Sequence, residues 1–178
     1  MEESKAKSFF RSWRDVFIAI VIIVIILLLI RPTIVMGRSM EGTLYDKDYI
    51  FMSKQAYLMK DIERGDIIVF KIDVPGDDEA EVNYIKRVIG IPGDTVSIED
   101  GEVFVNGEKL VESYINSDST LGHITDLVIP EEKYFVLGDN RHYSSDSRDP
   151  VVGLIDEERI MGKAVFRLYP FSEIGGIK

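Results

Sequence analysis

The sequence has no cysteine and only two histidines, His123 and His142, among its 178 residues. The absence of cysteine excludes disulfides, thiolate catalysis and cysteine-ligated metal. No His-x-x-x-His or Glu-x-x-His pair occurs, so a zinc site has little support. The sequence therefore predicts no metal and no other cofactor.

An excess of positive charge is also missing. The net charge is −10, and the part from Pro32 to Lys178 carries 28 acidic and 16 basic residues. A nucleic-acid-binding protein needs a basic face to meet phosphates, so this composition argues against a nucleic-acid partner. No repeat of roughly 20–50 residues occurs either, and the length fits one compact domain with an additional segment.

One stretch, Val16–Ile30, lacks polar side chains altogether. Three interpretations are open: a cleavable signal peptide, a buried core helix and an uncleaved membrane anchor. A signal peptide would need a small-x-small cleavage motif after the run, but Arg31-Pro32 follows directly. A helix that is apolar on every side suits lipid better than a small core, so the run favours the anchor.

The length and flanks of this run set its expected placement. Its fifteen residues would span roughly 22 Å as a helix, less than the roughly 30 Å of a bilayer core. Interfacial aromatic residues can extend the span, namely Phe9, Phe10 and Trp13. Basic residues before the run place the amino terminus in the cytoplasm. We therefore expect a single-pass protein of the cell membrane, with a cytoplasmic segment at 1–15, an anchor and juxtamembrane segment at 16–36, and an extracytoplasmic domain at 37–178 on the outer face.

The part after Pro32 is rich in short apolar runs of the kind that form β-strands. Predicted strands are Tyr49–Met52, Asp66–Lys71, Asn83–Ile91, Thr95–Ile98, Glu102–Val105, Lys133–Leu137 and Met161–Tyr169. The hairpin signals Asp100-Gly101 and Asn106-Gly107 predict a small hairpin insert at 95–133. Two loops, Asp73–Glu81 and Asn116–Thr125, and one helical turn at Asp156–Arg159 complete a mainly β fold.

A serine stands among small and flexible residues soon after the apolar run, in the stretch Gly37-Arg38-Ser39-Met40-Glu41-Gly42-Thr43-Leu44. A serine hydroxyl becomes a nucleophile only when a base takes its proton. One conceivable base is His142, which could form a Ser39–His142–Asp139 triad. Nothing in the sequence holds the ring against an acid, so this triad has weak support.

Lysine is the other candidate base, provided that burial lowers its pKa from about 10.4. Lys86 lies in the predicted strand Asn83–Ile91, which carries apolar residues on both faces. Such a strand is covered on both sides, so Lys86 and Arg87 need special surroundings. Taken alone, a lysine of this kind is more often a snorkelling residue, and Lys71 is interpreted in that way.

A third stretch, Gly138–Arg148, follows an apolar strand and is dense in serine, aspartate and arginine. A polar loop after a strand is ordinary as a turn. However, a buried neutral lysine needs a hydroxyl to orient it, and an Arg–Asp pair can hold such a loop in place. Asp146 and Arg148 are spaced to form that pair.

Together the three stretches resemble the bacterial type I signal peptidases. The resemblance rests on Ser39 to Leu44, on Tyr84 to Asp94, and on Gly138-Asp139-Asn140 followed by Ser144, Asp146, Ser147 and Arg148. Their order and the preceding anchor match as well, and the resemblance covers almost the whole chain beyond Met36.

This resemblance implies a single transmembrane helix followed by a β-rich catalytic domain of the LexA-like type. Ser39 would be the nucleophile and Lys86 the general base of a Ser–Lys dyad, with the Ser39 backbone N–H in the oxyanion hole. Further roles follow for five residues: Ser144 would orient the lysine, Asp146 and Arg148 would shape the site, and Met40 and Tyr84 would contact the substrate. The substrate would be the small-x-small end of a signal peptide on an exported preprotein, cleaved beside membrane lipid.

Two positions depart from the family pattern. Gly42 stands where the family has proline, and this exchange would cost about 0.4–1 kcal/mol if the backbone there suits proline. Gly37 stands where some members carry a serine that donates to the oxyanion, so backbone N–H groups would have to supply most of that hole.

Two other classes use similar features. A LexA-like self-cleaving regulator would need a DNA-binding domain, and the sequence before Arg31 does not contain one. A membrane-anchored, non-catalytic homologue is the other alternative, and Gly42 keeps it open.

Overall fold

The computed structural model describes residues 13–21, 30–57, 60–74 and 76–177. Residues 13–21 are α-helical. The strands within the described ranges are β1 Ile30–Ile34, β2 Tyr49–Ser53, β3 Ile67–Val74, β4 Asp77–Gly90, β5 Thr95–Glu99, β6 Glu102–Val105, β7 Glu108–Lys109, β8 Ile124–Val128, β9 Lys133–Leu137, β10 Ile155–Asp156, β11 Ile160–Tyr169 and β12 Gly175–Gly176. Two 3-10 turns lie at Glu157–Arg159 and Phe171–Glu173.

The strands form two antiparallel sheets. The larger has eight strands in the order β1-β2-β11-β3-β4-β9-β10, with β12 paired to β11, and the smaller has the order β7-β6-β5-β8. This arrangement confirms the mainly β prediction. It also places β1 at one end of the larger sheet and β4 near its middle.

The smaller sheet is built from residues of the predicted hairpin insert. Its two tight turns have positive φ at both central residues: 51° and 82° at Asp100-Gly101, and 55° and 78° at Asn106-Gly107. These values are those of a type I′ turn, whose twist matches that of the flanking strands. The dipeptides Asp100-Gly101 and Asn106-Gly107 alone therefore sufficed to predict the position of these turns.

Both predicted loops contain strand residues in the structure. Most of Asp73–Glu81 continues β3 and β4 as a hairpin, in which Asp73 pairs with Glu81 across the ladder. The composition is acidic, but backbone pairing and ion pairs such as Arg159 to Asp73 at 2.7 Å hold the arm extended. The second predicted loop, Asn116–Thr125, overlaps the start of β8, where Ile124 pairs with Ile98.

Buried side chains gather into three clusters. One lies against β3, β4 and β9 around Phe70, a second joins the small sheet to β9 around Phe135 and Leu137, and the third surrounds the serine-bearing stretch. The third contains Val35, Met40, Leu44, Ile50, Ile67 and Ala164. Apolar burial of these residues stabilises the segment that carries Ser39 against the larger sheet.

The predicted membrane anchor lies partly outside the described residues. Positions 22–29 are not described, and residues 13–21 form an exposed helix. Among the described residues, no helix has the length and apolar character needed to cross a membrane. Ile30, the last residue of the predicted span, begins β1 and pairs with Ser53. The anchor therefore stays a prediction.

Candidate active site

Ser39 and Lys86 meet between two elements that are far apart in sequence. Ser39 lies in a turn after β1, where Leu44 N donates to Met40 O at 2.8 Å. Met40 and Leu44 are buried and anchor this turn in the core. Lys86 lies on β4, opposite Ile68 of β3. Lys86 Nζ donates to Ser39 Oγ at 2.9 Å, within normal hydrogen-bonding distance.

Lys86 is held in an environment that disfavours its charge. Only 4% of the residue is exposed, and Nζ also donates to Ile85 O at 3.1 Å. Burial lowers the pKa of Lys86 to about 8, against the opposing effect of the Asp146 and Asp139 carboxylates, which raise it. A lysine with such a pKa is partly neutral near physiological pH and can accept a proton from a hydroxyl.

Each of these two carboxylates is paired with its own arginine. Arg87 makes two hydrogen bonds to Asp139, Nε to Oδ1 at 2.9 Å and Nη2 to Oδ2 at 2.7 Å. Arg148 makes two to Asp146, each at 2.8 Å. Such paired contacts are geometrically specific and offset much of each negative charge. Lys86 therefore experiences weaker fields from both acids than it would from bare carboxylates.

Asp139 and Asn140 clamp the serine-bearing turn. Asn140 N donates to Ser39 O at 3.0 Å, and its side-chain amide donates to Arg38 O at 3.1 Å. Thr43 Oγ1 donates to Asp139 Oδ2 at 2.5 Å. The clamp fixes both sides of the serine through charge-assisted and backbone hydrogen bonds.

Glycine at position 138 permits a close approach at the same place. A Cβ on Gly138 would lie 2.4 Å from Ser39 O and 2.2 Å from Ser144 Oγ. No side chain larger than hydrogen fits there. The Ser144 hydroxyl is buried beside this point and has no hydrogen-bond partner among the described residues. Its predicted contact with the lysine is therefore absent from this geometry, and its orienting role stays a prediction.

Asp146 and Arg148 organise the rest of this loop. Asp146 is fully buried and accepts a hydrogen bond from Gly138 N at 3.0 Å. Arg148 donates to Leu121 O and Arg141 O, each at 2.9 Å. The pair thus ties the loop to β9 and to the segment around Leu121.

The conceivable Ser39–His142–Asp139 triad does not form. The Asp139 carboxylate is fully buried and binds Arg87 and Thr43, whereas His142 is exposed. A triad needs the acid to hold the imidazole ring. The triad prediction is wrong because a buried carboxylate without a counterion is costly, and Asp139 has its counterion in Arg87.

A groove of about 500 Å³ runs along the site. Its lining comes from two segments, residues 33–39 and 82–86, together with Val69, Tyr143 and Ser145. Tyr84 lines the groove, and its ring centroid lies 4.9 Å from Lys86 Nζ. Met40 does not line it, because its side chain is 1% exposed and packs in the core. Any contact of Met40 with a substrate would have to use its backbone.

The backbone at Gly42 differs from what proline requires. Its φ is +112°, whereas proline is restricted to about −65°. The expectation that a proline here would stabilise the chain by about 0.4–1 kcal/mol applies only where φ suits it. The structure does not meet that condition, so glycine suits this backbone and proline does not.

Several residues of the site were not recognised in the sequence as functional. Arg87 and Thr43 complete the clamp through their bonds to Asp139, Asn140 belongs to it as well, and Arg141, which is buried, donates to Gly138 O at 2.9 Å. One signal was available, since a second cation beside Lys86 in an apolar strand needs a buried partner. Within the described ranges, no group of three His, Asp or Glu residues is placed to hold a metal ion.

Comparison with known proteins places these observations in a family. The family model "Signal peptidase, peptidase S26" matches residues 10–169. Signal peptidase I of Bacillus licheniformis is 39% identical over 96% of this chain and 94% of its own length. Signal peptidase IB of Staphylococcus aureus (strain COL) is 38% identical over 86% of this chain and 85% of its own.

Among solved structures, a signal peptidase I from Enterococcus faecalis V583 is 32% identical and covers 58% of this chain and 97% of its own, with a TM-score of 0.47. The family assignment rests on the full-length sequence matches. The chain belongs to the signal peptidase family, peptidase S26, and is a serine peptidase.

Proposed function

We propose that this chain is a membrane-bound serine endopeptidase that removes signal peptides from exported preproteins, using Ser39 and Lys86 as a catalytic dyad. The observation that carries the proposal is the 2.9 Å hydrogen bond between Lys86 Nζ and Ser39 Oγ, two residues that line the groove. Relatives that bear the name signal peptidase I match nearly the full chain. They support the substrate class, while the geometry supports the chemistry.

In the first half-reaction, neutral Lys86 takes the proton of Ser39 Oγ as that oxygen bonds to the scissile carbonyl carbon. Collapse of the tetrahedral intermediate breaks the carbon–nitrogen bond, and Lys86 gives the proton to the leaving amine. The signal peptide stays on Ser39 as an ester. The lowered pKa of Lys86, about 8, supports both proton transfers.

In the second half-reaction, Lys86 takes a proton from water, and the hydroxide oxygen bonds to the ester carbon. The bond to Ser39 Oγ then breaks, and Ser39 recovers its proton from Lys86. No cofactor enters either step. The Ser39 backbone N–H would stabilise the oxyanion, since Gly37 has no hydroxyl to offer.

Ser144 would orient Lys86 during these transfers. Its buried hydroxyl has no hydrogen-bond partner among the described residues. Like Ser39 O, it lies against the Cβ position of Gly138. The hydroxyl is therefore free to form a hydrogen bond with Lys86 when the protonation state of that lysine changes. A buried hydroxyl without a partner is costly, which favours a role in another step of the reaction cycle.

The groove suits an extended peptide. β4 pairs with β9 from Arg87 to Gly90, and no strand among the described residues pairs with residues 82–86 on that edge. β1 lies at an end of the larger sheet and leads into residues 35–39, which also line the groove. A peptide strand can add to such edges through main-chain hydrogen bonds. Branched apolar side chains on the walls, such as Ile34 and Ile85, would leave room for small substrate residues in a small-x-small motif.

Membrane attachment completes the proposal. The apolar run Val16–Ile30 would anchor the chain with its amino terminus in the cytoplasm and the catalytic domain on the outer face. The partners would then be preprotein signal peptides and membrane lipid, with no nucleic acid. An anchor directly before β1 would keep the groove close to the surface from which a signal peptide emerges.

The test is preprotein cleavage by the full chain in detergent, with Ser39→Ala and Lys86→Ala as variants. We expect each to lose on the order of 10²–10⁴-fold in rate. Matched controls are Ser172→Ala and Lys71→Ala, because both residues lie outside the groove lining. Mass spectrometry of acid-quenched reactions should detect the ester on wild type and not on Ser39→Ala. Near wild-type cleavage by either dyad variant would contradict the proposal.

A further inference from the structure

The contact made at Gly42 involves a distant part of the chain. A Cβ at this position would lie 2.5 Å from the backbone oxygen of Tyr114, closer than real Cβ atoms approach. The Cβ of Asn116 would lie 3.4 Å away. Residues 112–116, here named the buttress segment, belong to the connection between β7 and β8. Their backbone rests directly against the turn that carries Ser39.

Side chains of the buttress segment reach the clamp as well. The ring of Tyr114 stacks on Arg87, with the guanidinium carbon 3.9 Å from the ring centroid. Asn116 N donates to Asp139 O at 3.2 Å. A cation over an aromatic face is attracted more strongly when both are withdrawn from water, as Arg87 is here at 2% exposure.

A second set of bonds holds the buttress segment in position. Glu112, whose side chain is 6% exposed, pairs with the fully buried Arg141. Tyr114 Oη donates to Glu112 Oε1 at 2.8 Å. Arg141 in turn donates to the backbone oxygen of Gly138 at 2.9 Å, and Gly138 is the residue whose Cβ position lies against Ser39 O. The segment is therefore bonded to Arg141 and Asp139, and it contacts the serine-bearing turn directly at Gly42.

The path from this segment to the dyad is short. Tyr114 contacts Arg87, Arg87 binds Asp139 and Thr43, and Thr43 follows Gly42 in the turn. Asn140, the neighbour of Asp139, donates to Ser39 O. A displacement of the buttress segment would thus be transmitted to the nucleophile through two layers of contacts.

We propose that the buttress segment positions the catalytic serine, with Tyr114 as a positioning residue and Gly42 as the side-chain-free site that admits it. The inference rests on the proposed Ser39–Lys86 chemistry and adds a structural cause for its alignment. It also explains why position 42 is glycine: contacts with the buttress segment restrain the turn here, where the family pattern has a proline that would restrain φ.

Two variants at Gly42 test the contact. Gly42→Pro restores the residue of the family pattern, and Gly42→Ala adds only a Cβ. We expect both to lower kcat by about ten- to hundredfold, since small displacements of a nucleophile are that costly. KM should change little, because residues 33–36 and 82–86 of the groove walls are untouched. Equal or higher kcat for Gly42→Pro would overturn the proposal.

Variants at Tyr114 test the route through Arg87. Tyr114→Leu removes the ring, while Tyr114→Phe keeps it and loses only the hydroxyl. Without the ring, the Arg87 guanidinium would be held less firmly and would offset less of the negative charge of Asp139. That carboxylate raises the pKa of Lys86. The rising limb of kcat/KM against pH should therefore move to higher pH in Tyr114→Leu and stay in place in Tyr114→Phe. A purely structural role would lower activity without this shift, and an unshifted Tyr114→Leu would refute the route.

The outcome is separable from that of the proposed function. If wild type cleaves no preprotein, the proposed function fails, and thermal unfolding then decides the buttress contact. In that case we expect Gly42→Pro to unfold at lower temperature than wild type, since its Cβ would lie 2.5 Å from the Tyr114 oxygen and the φ of +112° excludes proline. If Gly42→Pro were as stable as wild type, the contact would be refuted. If Gly42→Pro alone were active, the positioning proposal would be wrong.

Discussion

Lys86 and Arg87 are neighbours on β4, and both are cations in the interior, at 4% and 2% exposure. Arg87 binds Asp139 through two hydrogen bonds and also donates to Gly65 O at 2.9 Å. Lys86 makes no salt bridge with a described residue and instead contacts Ser39 Oγ and Ile85 O. Of these two adjacent basic residues, Arg87 is therefore paired with a carboxylate, whereas Lys86 is hydrogen-bonded to neutral oxygens.

The difference shows how one strand can hold a structural cation and a reactive one. A buried ion that meets its counterion keeps its charge and stabilises the fold only while the pair is intact. A buried lysine that meets neutral oxygens has its pKa lowered by desolvation, as that of Lys86 is. Strand alternation sends the two side chains to opposite faces, so a single residue step separates the two roles.

The largest expected effect is on catalysis. Lys86→Met keeps a long apolar side chain but removes the base, so we expect kcat/KM to fall on the order of 10²–10⁴-fold. Raising the pH should not restore activity, because no titratable group remains at that place. The measurement is single-turnover cleavage from pH 6 to 10. If the variant kept more than a tenth of wild-type activity, the reactive role of Lys86 would be wrong.

The opposite face of β4 should respond through stability. Arg87→Met leaves the carboxylate of Asp139 buried without its partner, and we expect a loss of about 3–5 kcal/mol in the free energy of unfolding. Urea denaturation measures this. The double variant Arg87→Met/Asp139→Leu should recover most of the loss, since it removes both charges. A double variant as unstable as the single one would show that the ion pair is not the cause.

Stability should also reveal the cost of burying Lys86. The pKa of Lys86 in the folded state, about 8, lies below the ordinary lysine pKa of 10.5, so between these values the unfolded state binds more protons than the folded state. Stability of wild type should then rise with pH across that window, and the penalty is fully present below about pH 8. Lys86→Met should be more stable than wild type at pH 7, on the order of 1–3 kcal/mol. The advantage should shrink as the pH approaches 10.5, and a constant difference would contradict the assignment.

The smallest effect concerns the electrostatic support of the lysine. Asp146 raises the pKa of Lys86, so Asp146→Asn should lower it and move the rising limb of kcat/KM to lower pH. The unpaired Arg148 would act in the same direction. Asp149→Asn serves as the control, because Asp149 bonds to Ser145 and Val151 N on the exposed side of the loop. A shift to higher pH, or an equal shift in the control, would contradict this account.

Local patterns sufficed for much of the fold. The hairpin turns at Asp100-Gly101 and Asn106-Gly107 could be located because two residues specify their φ values. The segment Asp73–Glu81 is predicted as a loop from its composition, whereas its extended form in the structure depends on pairing between β3 and β4. β8 was missed at its start for the same reason, since Ile124 is a strand residue only beside Ile98.

The site divides in a similar way. Ser39 and Lys86 could be named as candidates because a serine in a flexible turn and a lysine in an apolar strand are both locally unusual. The clamp of Arg87, Thr43 and Asn140 could not, because its bonds join residues 44 to 102 positions apart. The expected contact of Met40 with a substrate stays a prediction, and the structure packs its side chain in the core cluster with Leu44 and Ile50. Single-residue properties do not indicate which face of a turn is buried.

By itself, the sequence determined the β-rich class, the turn chemistry and the two residues proposed for the dyad, because each depends on neighbours along the chain. Only the tertiary structure decided that Asp139 belongs to Arg87 rather than to His142. The same holds for Gly42, which must be glycine because the carbonyl of Tyr114 lies against it. In both cases the physical reason is a contact across the fold, where desolvation and close packing decide which partner a group takes.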